Sequence, residues 1–202
     1  MLSSLEDIAK SKKKITDEEL ITRFQEGELS AFDELVARYK DSLFNYVARM
    51  LGDRTYAEDI VQETFVRVYR NRNRYQQVAK FSTWIYTIAI NLTKTELRRQ
   101  NLRRFFSLSG SLDEGKTLEL PDLRTNLEKT AGDTIVRRHI QEAIDKLPKS
   151  FKEVIILRDI QELSYEEISK IIGAPLGTVK SRVNRGRTRL QELLKEIHSI
   201  TD

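Results

Sequence analysis

Cysteine is absent from all 202 residues, which excludes disulfides, thiolate zinc sites and cysteine nucleophiles together. Histidine occurs only twice. His139 and His198 lie on separate helical patterns with no ligand spacing around them, so each reads as a partly exposed helix residue rather than a metal ligand. No metal and no cofactor are expected. Long apolar runs are missing too: nothing approaches the ~20 residues of a membrane span. The N-terminal lysines precede no apolar stretch of the kind a secretory signal needs. The expected location is the cytoplasm, without membrane insertion. With 3 prolines and 8 glycines there are few places for hairpins, and period-two alternation is missing. The fold class expected is all-α.

Charge is plentiful. Charged residues make up 33% and apolar residues 39%, the profile of a soluble, helix-prone chain. The formal net charge of +4 hides local patches that matter more than the average.

Apolar residues recur at helical spacing along most of the chain. After a polar tail (1–19), a short helix carries Leu20, Ile21 and Phe24 and ends near Gly27. Ser30 is placed to cap a longer helix whose apolar side runs from Phe32 to Met50, with Gly52 as its C-terminal stop. Thr55 and Glu58 suggest a capping box for a third helix that reaches about Asn71. A polar loop, NRNRYQQVAK, leads to a helix capped by Ser82, with Phe81 positioned to staple Tyr86. The pattern dissolves across 104–133, where glycine, serine, proline and scattered leucines suggest a flexible linker. Two small helical domains follow, at 20–103 and 134–202. The second opens with a helix that has Val136, Ile140, Ala143, Ile144 and Leu147 on its apolar side.

The most informative stretch is LSYEEISKIIGAPLGTVKSRVNRGRTRLQELL. Ser164 caps a short helix, Gly173 permits a left-handed turn residue, Pro175 blocks simple continuation, and a second helix starts by Gly177 or Thr178. Two helices joined so tightly form a helix-turn-helix. At about 100° per residue, Val179, Val183 and Leu190 share a core arc of the second helix. Opposite lie Ser181, Asn184 and Thr188, with Arg185 beside them. Lys180 and Arg187 flank one side of the core arc, and Arg182 and Arg189 the other. Small polar groups at the apex and cations on both shoulders suit a DNA major groove, with base edges read at the apex and phosphates met at the shoulders. An ordinary solvated helix would mix signs, yet no acid occurs between Thr178 and Leu190.

That stretch resembles the region 4.2 motif of extracytoplasmic-function (group IV) bacterial RNA polymerase sigma factors. AEDIVQETFVRVYRN followed by FSTWIYTIAIN resembles their region 2. The resemblance runs from about Leu20 to Leu194. It implies two helical domains that join core RNA polymerase, through the clamp helices and flap of its large subunits, and direct it to promoter DNA. The first would read and open the −10 element and the second would read the −35 element, with Tyr165 and Thr178 joining Lys180, Ser181, Arg182, Asn184, Arg185 and Arg187 there. Members of the family are often held inactive by an anti-sigma factor.

The first domain supplies matching candidates. On the helix after Thr55, Ala57, Ile60, Val61, Thr64, Phe65 and Val68 turn inward. Asp59, Gln62, Glu63 and Arg70 turn outward around Val66. An apolar residue centred in a polar face suggests a protein contact, and the resemblance assigns Asp59, Gln62, Glu63 and Val66 to the polymerase clamp. Asn71 and Tyr75 in the loop could hold an unstacked base, matching the family's capture of a flipped −10 base. Asn91 can pair with a base. Lys94, Arg98, Arg99, Arg103 and Arg104 form a basic end suited to phosphates. Trp84 and Tyr86 are either core residues or DNA contacts. A stand-alone repressor or activator would share the helix-turn-helix but lacks any sensor signature here. A nucleic-acid enzyme would need converging carboxylates or a nucleophile with its base. Glu58, Asp59 and Glu63 are adjacent on one helix without such partners, so no enzyme is expected.

Overall fold

The computed structural model describes residues 15–109 and 131–201, except for the side chains of 104, 107–109, 131–135, 137 and 198–201. Most of the expected tail and linker lies outside those residues. Among the described residues there are eight α-helices and no strand.

Helix α1 (Asp17–Gln25) starts within the stretch expected to be tail, because Thr16 and Glu19 close a capping box. The Glu19 amide donates to Thr16 Oγ1 over 3.1 Å and the Thr16 amide to Glu19 Oε2 over 2.8 Å. Acids at Asp17, Glu18 and Glu19 suit the positive end of the helix. Leu20, Ile21 and Phe24 are buried, each contributing about 1.5–3 kcal/mol by leaving water. Helix α2 (Leu29–Leu51) begins one residue before Ser30. Its N-cap is Glu28, so Ser30 is not the cap and instead donates to the Glu28 carboxylate. Gly52 does end α2 in the left-handed conformation, at φ 72°. Helix α3 (Arg54–Asn71) is capped by Asp53, which accepts from the Tyr56 amide, and not by Thr55.

A 3₁₀ turn at Arg72–Arg74 leads to α4, Phe81–Ser109. Ser82 lies inside this helix rather than capping it. Phe81 packs edge-on against Tyr39 and Tyr75. Helix α4 runs on past the expected linker boundary at 104, as Arg103 and Arg99 both reach back to the buried Glu96 carboxylate. Helices α1 to α4 pack on one another as a bundle.

Helix α5 (Ala131–Asp145) buries Ala143, Ile144 and Leu147 at and just beyond its C-terminal end. Val136 and Ile140, expected in the same core, are exposed at 57% and 39%. Helix α6 (Lys149–Ile155) continues as a π-helical turn (Ile156–Ile160) and closes with Glu162 in the left-handed region at φ 57°. Helix α7 (Tyr165–Ile172) and helix α8 (Leu176–Thr201) follow. Helix α8 packs on α5, α6 and α7.

The two halves touch. Helix α4 lies against α7, and α2 meets the π turn. Buried apolar residues of both halves belong to one cluster.

Candidate nucleic-acid and protein interfaces

The helix-turn-helix is built as its sequence dictates. Ser164 and Glu167 form the box that starts α7: the Glu167 amide donates to Ser164 Oγ over 3.2 Å and the Ser164 amide to Glu167 Oε2 over 2.8 Å. Gly173 ends α7 at φ 66°, where an L side chain would be strained. Val179 and Val183 are fully buried and Leu190 partly so, which fixes the roll of α8. That roll leaves Ser181, Asn184, Arg185 and Thr188 exposed along its outer side, with Lys180 also exposed and Arg182 and Thr178 half-buried. Tyr165 at the start of α7 lies under two cations, the Arg158 guanidinium at 4.8 Å and the Lys180 ammonium at 6.0 Å from its ring centre. It acts as a platform beneath the basic face.

Two features of this half escaped sequence reasoning. Arg187 is gripped by both carboxylate oxygens of Asp159 in the π turn, and this contact raises its pKa. The absence of acids between Thr178 and Leu190 therefore does not mean that the cations there lack partners: Arg189 also pairs with Glu192, further along α8, at 2.9 Å. Gly186 sits where α8 crosses α6, and a Cβ there would lie 2.9 Å from Ile155 Cγ1. The signal was present: a lone glycine inside a helical pattern marks a close approach.

In the first half, Ala57, Ile60, Thr64 and Val68 of α3 are buried, with Val61 and Phe65 partly so. Asp59, Gln62 and Val66 are exposed on the other side and Glu63 is half-exposed, paired with Arg67 at 2.7 Å. Tyr69, 43% exposed, extends the apolar element beside Val66 and packs against Phe24 and Phe32. The result is a polar face with an apolar centre.

The loop before α4 needs one correction. Tyr75 is only 6% exposed; its hydroxyl donates to the Ala79 carbonyl over 2.8 Å and its ring packs against Phe81 and Trp84. Burial raises its pKa. The ring is thus a strut of the loop, not a free face for a base. Gln25 fastens the same loop from α1 by donating to the Arg72 and Tyr75 carbonyls. Asn71 ends α3 with its amide on the Arg67 carbonyl. Trp84 is half-buried, whereas Asn91, Arg98 and Arg99 are exposed on α4. Lys94, on that same helix, reaches 2.9 Å from the Glu153 carboxylate of α6.

No group of histidine and acidic side chains that could hold a metal occurs among the described residues, and none of their helices is long and apolar enough to cross a membrane.

Comparison with known proteins agrees with this geometry. A family model described as Sigma-70 region 2 matches residues 35–103, and one described as Sigma-70, region 4 matches residues 137–190. The ECF RNA polymerase sigma factor SigW of Bacillus subtilis is 36% identical over 179 residues, covering 88% of this chain and 96% of the relative. The RNA polymerase sigma-H factor of Pseudomonas aeruginosa is 30% identical over 192 residues, covering 90% and 95%. The sigma factor RpoE of Bartonella quintana, solved in complex with the anti-sigma factor NepR, superposes with a TM-score of 0.64 at 27% identity, covering 81% of this chain and 96% of that one.

Proposed function

The chain belongs to the extracytoplasmic-function sigma factors, and on that footing we propose how its surfaces divide the work of promoter-specific transcription initiation. Residues 20–103 form the domain that docks on core RNA polymerase and reads the −10 element, and 134–202 form the domain that reads the −35 element. The outward face of α3, with Asp59, Gln62, Glu63 and Val66, meets the polymerase clamp. Asn71, Asn91, Lys94, Arg98 and Arg99, with the edge of Trp84, meet the −10 DNA. On α8, Ser181, Asn184 and Arg185 read bases, while Lys180, Arg182 and Arg187 bind phosphates, with Thr178 and Tyr165 at the near end. The carrying observation is the roll of α8. Burial of Val179 and Val183 turns the small polar apex outward between its flanking cations.

The chain works in the cytoplasm and has no active site of its own. Promoter melting is driven by binding, because capture of an extruded base and the exposed strand offsets an unstacking cost of a few kcal/mol. An anti-sigma factor is a fitting partner, since the Bartonella relative was solved with one.

Transcription by core polymerase on a promoter library, with and without the chain, tests the reading. Initiation at a defined subset only when the chain is present is expected. Glu63→Lys tests the docking face: it should abolish co-purification with core polymerase, because like charges facing each other at an interface cost several kcal/mol. Losing the pair with Arg67 and facing a like charge there should cost about 0.5–1 kcal/mol of stability, too little to unfold the domain. A Glu63→Lys chain that melts normally and still binds polymerase means either that this face is not the docking site or that Glu63 is peripheral to it.

A further inference from the structure

Arg187 is one of the cations of the proposed −35 face, yet the group that holds it belongs to another element. The π turn after α6 aims two consecutive side chains at the two helices of the helix-turn-helix. Arg158 donates to the Leu163 carbonyl over 2.8 Å and lies 4.8 Å from the centre of the Tyr165 ring, at the start of α7. Asp159 reaches α8 instead. Arg187 Nε donates to Asp159 Oδ2 over 3.0 Å, and Arg187 Nη2 donates to Asp159 Oδ1. The turn is itself anchored, because Ile156 and Leu157 are fully buried.

A guanidinium carries five N–H groups in one plane. Asp159 takes the side edge, one hydrogen of Nε and one of Nη2. The end edge keeps a parallel pair of hydrogens, one on Nη1 and one on Nη2, a fork that fits two oxygens of a phosphate. One arginine can therefore hold the carboxylate and a phosphate together. Folding gains little from the pair: its side chains are 47% and 31% exposed, and ion pairs so open to water are weak. What the pair does supply is order in a long side chain that would otherwise sample many rotamers.

We propose that Asp159 is a positioning residue for DNA recognition, fixing the side edge of Arg187 so that its end edge is already oriented when phosphate arrives. The inference rests on the assignment of Arg187 to the phosphate backbone. Its sign separates it from simple electrostatics. An acid beside a DNA-binding face repels phosphate, so on charge alone its removal should tighten binding. Loss of a positioning residue acts the other way. The guanidinium must then be ordered at the moment of binding, which weakens the complex by a factor of about 2–10.

The test uses holoenzyme assembled from core polymerase and the full chain. The probe is a double-stranded promoter fragment that the parent holoenzyme selects from the promoter library, and affinity is read by fluorescence anisotropy across a salt series. Asp159→Asn keeps the shape of the side chain and should weaken binding about 2–10-fold at every salt concentration. In an Arg187→Ala background the same substitution should no longer weaken it. A loss of structure alone would persist in both backgrounds, and thermal melting of each isolated chain checks the fold. Arg187→Lys keeps the charge but has no second planar edge, so it should bind more weakly than the parent. Unchanged or tighter binding by Asp159→Asn, while Arg187→Ala weakens it, would overturn the positioning role and leave Arg187 a DNA contact. Equal weakening by Asp159→Asn in both backgrounds would overturn it as well. If Arg187→Ala binds like the parent, the assignment of Arg187 to phosphate falls, and the role of Asp159 falls with it.

Discussion

Replacing Gly186 by alanine sets two opposing effects against each other. In the middle of α8, alanine is favoured over glycine by about 1 kcal/mol of helix propensity. Against this, the new methyl would stand 2.9 Å from Ile155 Cγ1, 3.2 Å from Ile155 Cδ1 and 3.4 Å from Phe151 Cβ. Ile155 is 1% exposed and β-branched, so its Cγ1 has little freedom to swing away. Overpacking of this kind costs about 1–3 kcal/mol. The net expectation is a loss of about 1 kcal/mol, seen as a fall of about 4–8 °C in the melting of the C-terminal half. Thermal melting followed by circular dichroism measures it, and Ile155→Ala supplies the control. In that background the obstructing atoms are gone, so Gly186→Ala should become neutral or stabilising, a reversal of sign that propensity alone cannot produce. A Gly186→Ala chain that melts at or above the parent temperature would refute the reasoning. So would an equal loss in both backgrounds.

Arg185→Ala should relax preference at one −35 position by about 1–3 kcal/mol, whereas Arg187→Ala should weaken all sequences alike; binding profiles over a sequence library separate the two. Ser164→Ala removes the cap of α7 and should cost about 1 kcal/mol in chemical denaturation. Burial alone would raise the Glu167 carboxyl, but bonds from the Ser164 amide and hydroxyl and from Lys80 outweigh it and hold the pKa below the usual range. Its contribution is therefore present above the unfolded value of about 4.3 and lost as pH falls through the depressed folded value. The melting difference between the parent and Glu167→Gln should stay level near neutrality and shrink only in acid below that unfolded value.

Local chemistry was the legible part of the sequence. Ser164, Gly52 and Gly173 act where they stand because a cap or a left-handed residue needs only its own neighbours. The inner sides of α3 and α8 were legible for a similar reason, a clean helical period. Caps slipped where several polar residues crowd one helix start: Glu28 displaced Ser30 and Asp53 displaced Thr55. Periodicity also says which side of a helix is apolar but not how far its partner extends. Val136 and Ile140 continue the stripe of α5, yet only Ala143, Ile144 and Leu147 are covered. Tyr75 was misread because its environment comes from Phe81 and Trp84 on the next helix. The pairs Lys94–Glu153 and Arg187–Asp159 join residues far apart in sequence, and no spacing rule foretells them.

Among the described residues, every backbone-to-backbone hydrogen bond outside the helices stays within one half of the molecule, and each named polar contact between the halves joins side chains. Amide protons therefore carry almost no record of whether the halves are together. A hydrogen-exchange map of α4 and α7 should look nearly the same in either arrangement, because the bonds that shield those amides lie within each helix. Separation needs no helix to melt, so it belongs with rigid-body motions on the microsecond-to-millisecond scale rather than with unfolding.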